Sequence, residues 1–519
     1  MKKFKDFLLL IFIFLLAYIS FTYSLKPFPT TDSLPNNLTA LNIIFNKRID
    51  LTNYENILIK KDLIGITKKN KNNKIYSKSP VINGILSVPI FFLITKISNF
   101  PRLNEKQILN SNISRYVEYI GKINASFLIS ISAVFLFLLL NKLFKNKKIS
   151  FIGILTYIFC TAVFNTASQA NWQHSFSLFF IIISLYIYFT TKRWGVFFSG
   201  LFLGLATQIR ITNFFYIIFL ILNLFQESEN HGFYPWMKRY NCSPPKAGHK
   251  AKQKTTGFAR GFLFFSNLPK KNKLVIINFC LLLIGFLISY FSIYELNKTL
   301  NIPYGYYDEI LFSIKEFTLP TFFLNLISLL FSFNYGLFFY SPILFLNFLL
   351  ILKIKSYLKK DRKKLILISL FVISLFIIFA SFWWMWTGGV SLNARLIIEV
   401  IPLMIILLNY VLLKYWKNYF FRLIFIVFFF ISFFINFLTT YMLDLSYYDR
   451  FPRCGHRCQN QVAWFNKPIF LTTLIEKKYI YVEQIKKEGE NLYIIKKIYR
   501  PSLKYFGLPK IFENKEKLF

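Results

Sequence analysis

Asn141-Lys142-Leu143-Phe144-Lys145-Asn146-Lys147-Lys148 carries four lysines in eight residues and lies between apolar runs at about 122–140 and 150–166. Short loops on the cytoplasmic side of a membrane collect Lys and Arg. With this loop placed inside, the direction of every other apolar run follows. The first run, about 7–23, leaves the cytoplasm, 122–140 returns, 150–166 emerges, and 173–190 brings Lys192 and Arg193 back. Two runs of about fifteen residues, barely long enough to cross, meet at Gln208-Ile209-Arg210-Ile211-Thr212-Asn213 and read as a short hairpin with an external polar tip. The segment 226–273 is rich in Lys, Pro and Gly, lacks apolar periodicity, and reads as a flexible cytoplasmic insertion.

Further along, 274–294 leads out to a long loop, and 336–352 returns to Lys353, Lys355 and the basic stretch 359–364. The run 365–382 emerges, 396–413 returns to Lys414 and Lys417, and 422–441 emerges for the last time. The expected fold is an all-α polytopic membrane protein. It has eleven transmembrane helices in a domain spanning 1–441, a cytoplasmic N-terminus, a long first external loop (24–118) and a small external C-terminal tail (442–519). Residues 79–97 are apolar enough to tempt a span. Counting them as one would put the 141–148 loop outside and invert every later loop, so they read as an interfacial or re-entrant helix.

Composition agrees with a membrane protein: 519 residues, 55% hydrophobic, 65 Phe and 17% charged. A formal charge of +40 would point to nucleic acid in a soluble protein. Here most basic residues lie between apolar runs, where they set topology, and no nucleic-acid partner is expected. The basic start, Met1-Lys2-Lys3-Phe4-Lys5, resembles a signal sequence, but the length of the run after it favours an uncleaved helix. Five Cys make no disulfide framework; Cys160 and Cys280 lie in apolar runs as small hydrophobic filler.

This threading gathers the unusual polar and aromatic residues at the external face. Asp32 is the sole carboxylate between the first run and Lys47, in Phe28-Pro29-Thr30-Thr31-Asp32-Ser33-Leu34-Pro35. With it come Tyr76-Ser77-Lys78-Ser79-Pro80, the 167–174 segment ending Asn171-Trp172-Gln173-His174, Arg210 with Thr212 and Asn213, the 304–309 segment, and 383–395 from Trp383-Trp384-Met385-Trp386 to Arg395. Such a face suits a lipid-linked substrate, its head group in an aqueous cleft and its tail in the bilayer. Cleaving a sugar–phosphate bond requires a base for the acceptor and cations for the departing phosphate. Asp32 is the candidate base; Arg210, Arg395 and Lys78 are the candidate phosphate ligands, Arg because its fork binds phosphate bidentately. His174, Trp172, Asn213, Trp383, Trp384, Trp386 and Glu399 are candidate pocket residues. No cofactor is expected. Metal ligation is weakly supported because no cluster of His and carboxylates occurs on this face, although a divalent metal stays open.

Each residue has a plainer reading. Asp32 could cap a turn, the tryptophans could form an aromatic belt, and the arginines could snorkel to head groups. His174 could be a satisfied interfacial histidine, and Glu399 could pair with Arg395 one helical turn away.

At these residues the chain resembles the GT-C superfamily of membrane glycosyltransferases, which includes protein O-mannosyltransferases and aminoarabinose transferases of lipid A. Thr31-Asp32-Ser33 is similar to that family's catalytic acid shortly after the first helix, and the 77–86 segment to its re-entrant helix. The segments 167–174, 204–213, Tyr335-Gly336 to Ser341-Pro342, and 383–395 are similar to a bacterial branch, so the likeness covers about 7–415. It departs from the family in having Ser33 where many members carry a second acid, and Pro80 where a proline pair is usual. The resemblance implies a GT-C-type bundle in a bacterial inner membrane. It implies a polyprenyl-phosphate-linked sugar donor, inverting transfer to a lipid, glycan or protein hydroxyl, Asp32 as base, and Arg210, Arg395 or Lys78 on the leaving phosphate. A lipid-linked sugar flippase and an oligosaccharide polymerase are the alternatives.

In the tail, Cys454 and Cys458 read as a small disulfide rather than a zinc site, since His456 alone accompanies them. Residues 479–482 and 492–495 flank Lys487-Glu488-Gly489-Glu490-Asn491 as a hairpin. Asn37-Leu38-Thr39 and Asn297-Lys298-Thr299 match a glycosylation triplet, which an Asn-rich chain yields by chance.

Overall fold

The computed structural model describes residues 2–23, 33–55, 58, 67–69, 73–77, 80–98, 111–191, 193–229, 270–300, 307–315, 317–352, 360–388, 393–441, 480–488 and 491–499. The helices of nine or more residues are α1 Lys2–Thr22, α2 Ser33–Asn46, α3 Ile82–Ile97, α4 Ser111–Phe144, α5 Lys147–Phe159, α6 Gln173–Thr190, α7 Arg193–Ile209, α8 Phe214–Glu229, α9 Lys270–Thr299, α10 Tyr307–Lys315, α11 Leu319–Phe331, α12 Lys360–Phe382, α13 Ile401–Tyr415 and α14 Tyr419–Tyr441. Two antiparallel hairpins accompany them, β1 Thr67–Lys69 with β2 Ile75–Ser77, and β3 Ile480–Glu488 with β4 Asn491–Tyr499. The second is the hairpin expected in the tail, closing where Glu488 faces Asn491.

Seven helices among the described residues are long and apolar enough to cross a bilayer: Phe4–Thr22, Tyr116–Phe144, Gln173–Thr190, Leu274–Thr299, Lys363–Phe382, Arg395–Tyr415 and Tyr419–Tyr441. All seven coincide with expected spans, and the chain is a helical integral membrane protein. The other expected spans form shorter apolar helices. α7 and α8 meet at Arg210 as the anticipated short pair. The 150–166 run ends as a helix at Phe159 and continues into a π turn, Val163–Ala167.

The run 336–352 breaks into Leu337–Tyr340, a 3-10 stretch Pro342–Asn347, and Phe348–Leu352. Pro342 has no N–H to continue the ladder. α14 satisfies the backbone groups this frees: Asn436 Nδ2 donates to Tyr340 O at 2.8 Å, and Ile343 N donates to Ser432 Oγ at 3.1 Å. Irregular backbone at membrane depth persists where neighbouring side chains replace its bonds. The connection after α9, expected as a long loop, holds α10 and α11. At 9 and 13 residues both are shorter than a membrane span.

The bundle has two distinguishable ends. At one, Asp6 of α1 pairs with Lys147 at the α4–α5 turn, and the Phe144 and Tyr410 rings meet at 4.7 Å. Asn146 caps α5 there by accepting from Ile149 N at 3.1 Å. At the other, Tyr441 Oη donates to Ser20 O at 2.7 Å, and the Phe21 and Phe164 rings lie 6.0 Å apart. α1, α4, α5, α13 and α14 therefore alternate in direction as the threading requires, with the basic 141–148 loop beside the chain's N-terminus.

α3 spans 16 residues, about 24 Å at 1.5 Å per residue, short of the roughly 30 Å hydrocarbon layer. It packs with α2 and the start of α4 around a separate apolar cluster that includes Leu34, Leu38, Leu41, Phe91, Val117 and Ile120. Asn37 is fully buried here and donates from Nδ2 to Val117 O at 3.3 Å, so the Asn37-Leu38-Thr39 triplet is closed to modification. α7 and α9 approach backbone to backbone through glycines. A Cβ on Gly285 would lie 2.1 Å from Phe197 O, and one on Gly200 2.1 Å from Leu282 O.

Candidate active site

α6 begins, α7 ends, α8 begins and the 3-10 stretch Arg395–Val400 begins α13 at the end of the bundle opposite Lys147. Four ionisable side chains meet there. His174, in the first turn of α6, and Glu399 are both fully buried, with Nδ1 and Oε1 2.9 Å apart. Arg210, in the extended break between α7 and α8, sets Nε 3.2 Å from Glu399 Oε1 and Nη1 2.9 Å from His174 Nε2, and donates from Nη2 to Leu396 O at 3.2 Å. Arg395 donates from Nε to His174 Nε2 at 3.0 Å and from Nη1 to Gly388 O at 3.1 Å. Its guanidinium lies 4.2 Å from the Trp172 ring centroid, a cation–π stack.

The donors decide the state of the imidazole. Arg210 Nη1 lies near both ring nitrogens, 3.1 Å from Nδ1, but Arg395 Nε donates to Nε2 and Glu399 Oε1 accepts at Nδ1; guanidinium groups have no acceptor, so Nε2 carries the lone pair and Nδ1 the ring proton. His174 is therefore a neutral relay that ties Arg395 to Glu399. Two guanidiniums, one carboxylate and a neutral imidazole leave one net positive charge at this buried point.

The expected Arg395–Glu399 pair along one helix is corrected. Residues 395–400 wind as a 3-10 helix with a non-helical Ile397 (φ −115°, ψ 20°). At three residues per turn, positions four apart diverge, so Glu399 turns to Arg210 and His174. Tyr216 Oη donates to Glu399 O at 2.6 Å and holds this stretch to α8.

Trp172 and Trp386 are fully buried, not members of an interfacial belt, whereas Trp383 and Trp384 remain partly exposed. The Trp386 ring packs edge-on to Tyr335 at 5.8 Å and Trp384 against Phe312 at 5.2 Å. Asn213 does not join the charged cluster; it donates from Nδ2 to Ser177 Oγ and Ala206 O, both at 2.7 Å, and locks the α7–α8 bend. Asp32, Lys78, Cys454 and Cys458 lie outside the described residues.

A second buried network adjoins the first through the 168–174 segment. Asn171 donates from Nδ2 to Asn37 Oδ1 and Ser87 Oγ, each at 2.9 Å, and its Oδ1 accepts from Asn124 Nδ2 at 2.9 Å. Asn36 Nδ2 donates to Asn171 O at 3.1 Å, and Ser126 Oγ to Ser168 O at 3.0 Å. α2, which opens at Ser33, is thus clamped to the residue preceding Trp172. The sequence held a signal for this network in its Asn and Ser side chains among apolar neighbours, since polar groups in such helices seek partners across the interface.

Among the described residues no three or more His, Cys, Asp or Glu side chains gather in a group that could hold a metal ion. No family model matches the chain, and no curated protein matches it.

Proposed function

We propose that the chain is a membrane glycosyltransferase that moves a sugar from a polyprenyl-phosphate donor to a hydroxyl acceptor at the external membrane face. The observation that carries the reading is the buried site with one net positive charge, built from Arg395, Arg210, His174 and Glu399 beside the fully buried Trp172. A phosphodiester carries one negative charge and matches it. In this reaction the acceptor oxygen forms a bond to the anomeric carbon and gives its proton to the Asp32 carboxylate. The bond from that carbon to the phosphate oxygen breaks, and the electron pair leaves with the prenyl phosphate. Charge on the phosphate rises as the bond breaks, and preorganised donors in a dry site favour that change most.

Arg395 is the phosphate ligand in this proposal. Arg210 is a positioning residue, since Nε faces Glu399 and Nη2 is bonded to Leu396 O. The clamp from Asn171 to Asn36 ties α2, the helix that follows Asp32 in the sequence, to the arginine site. The GT-C-type arrangement and the bacterial inner membrane of this proposal rest on the sequence resemblance.

The broken helix 337–352 favours a second reading as a lipid-linked sugar flippase, because transporters use discontinuous helices at their substrate sites. Against it, the Tyr340 carbonyl and Ile343 amide freed by the break are already bonded to α14. Purified protein in vesicles with a radiolabelled polyprenyl-phosphate sugar separates the two. Consumption of the donor without translocation supports transfer; translocation with the bond intact supports the flippase. Asp32→Asn is expected to express and fold yet lose transfer by at least about a hundredfold, and near-normal turnover in that variant would remove Asp32 from the mechanism.

A further inference from the structure

Two buried N–H donors in the segment that leads into Arg395 have no hydrogen-bond acceptor among the described residues. Asn393 is fully buried, and its Oδ1 accepts from Ala394 N at 2.7 Å, which fixes the amide orientation and leaves Nδ2 without a partner. Trp386, also fully buried, has Nε1 without a partner. Burying a donor without an acceptor is costly, and native proteins do it rarely.

Backbone hydrogen bonds tie the segment that carries both donors to the arginine. Arg395 N donates to Asn393 O at 2.7 Å, and Asn393 N donates to Asn334 O at 3.2 Å. Arg395 Nη1 donates to Gly388 O, two residues from Trp386, whose ring is fixed against Tyr335. Asn393 has a left-handed backbone, φ 66°, one of four such non-glycine positions among the described residues.

We propose that Asn393 Nδ2 and Trp386 Nε1 are ligand-binding groups that donate to the oxygens of the phosphate held by Arg395. The inference rests on the reading of this site as one for a phosphate ester. The ligand class follows from polarity: two N–H groups and a guanidinium supply donors without acceptors, which matches an oxyanion.

The test uses full-length protein in nanodiscs and three probes: decaprenyl phosphate, inorganic phosphate and decaprenol. Decaprenyl phosphate is expected to bind and raise the melting temperature, while decaprenol does not. Binding of inorganic phosphate alone would assign the site to free phosphate. Asn393→Asp keeps the acceptor for Ala394 N but replaces the donor with a negative oxygen, and is expected to weaken decaprenyl phosphate at least about tenfold. Trp386→Phe keeps the ring on Tyr335 and is expected to weaken it about threefold to tenfold. Asn393→Asp buries a charge and Trp386→Phe leaves a small void, so each is expected to lower the ligand-free melting temperature somewhat; the reading rests on affinity, which a merely structural role would leave unchanged. A lowered ligand-free melting temperature with unchanged affinity would overturn the proposal, as would unchanged values of both. The outcomes separate this inference from the reading beneath it. Asn393-dependent binding in a protein that never transfers sugar refutes the transferase and keeps the ligands. Transfer and decaprenyl phosphate binding that Asn393→Asp leaves intact refute the ligands and keep the transferase.

Discussion

Replacing Glu399 by Gln removes one buried charge with almost no change in volume. Glu399 Oε1 lies 3.2 Å from Arg210 Nε, and the carboxylate is fully buried. Two unit charges at that separation attract by about 5 kcal/mol at an effective dielectric of about 20. The amide keeps an acceptor worth about 1 kcal/mol, and losing the carboxylate also relieves the cost of burying it. The expected net loss is about 3 kcal/mol, at the low end of the range for breaking a buried pair from one side. Unfolding by SDS titration in mixed micelles measures it for wild type, Glu399→Gln, Arg210→Gln and the double variant. Each single change should cost about 3 kcal/mol and the double about the same as either, a coupling of about 3 kcal/mol. Additive losses would show that the two groups do not sense each other, and the account of Arg210 as Glu399's counter-charge would fall.

Asn436→Ala strips the cap from Tyr340 O at the broken helix and should cost about 1–2 kcal/mol; an unchanged unfolding midpoint in the same titration would mean that other groups satisfy the break. Asp50 gives a pH dependence. Burial raises its pKa, but Thr52 and Arg48, whose Nη2 lies 2.9 Å from Oδ1, outweigh that and hold it below the usual carboxylate range. Its contribution to stability is therefore complete above the unfolded-state carboxylate value, near pH 4, and is lost as pH falls through the lower folded-state value. Melting temperatures from pH 7 down to 3 should show Asp50→Asn less acid-sensitive than wild type; parallel curves would contradict the assignment.

The charged site was partly legible in the sequence and partly not. His174, Arg210, Arg395, Glu399 and Trp172 stood out as polar or aromatic residues at the ends of apolar runs, because the bilayer penalises such groups enough to make each conspicuous. The alternation of helix directions was legible too, since Lys and Arg in short loops set orientation and the Asp6–Lys147 pair joins the two elements that this rule assigns to one side. Partner choice was not. An α-helical period would have joined Arg395 to Glu399; the 3-10 winding of Arg395–Val400, which Tyr216 bonds to α8 at Glu399 O, parts them instead. Asn393 was unremarkable in an Asn-rich chain, and its unpartnered amide exists only once Ala394 and Asn334 have taken its other polar groups.

Hydrophobic run length and loop charge are local properties of the chain, so the sequence by itself determined that the protein is helical, membrane-embedded and threaded in alternating directions. Which buried charges meet, which helices break and which donors are left without acceptors depend on contacts between residues as far apart as His174 and Glu399. Those pairings were decided by tertiary structure, because in a low-dielectric interior every polar group competes for the same few partners and the packing of the whole bundle settles the competition.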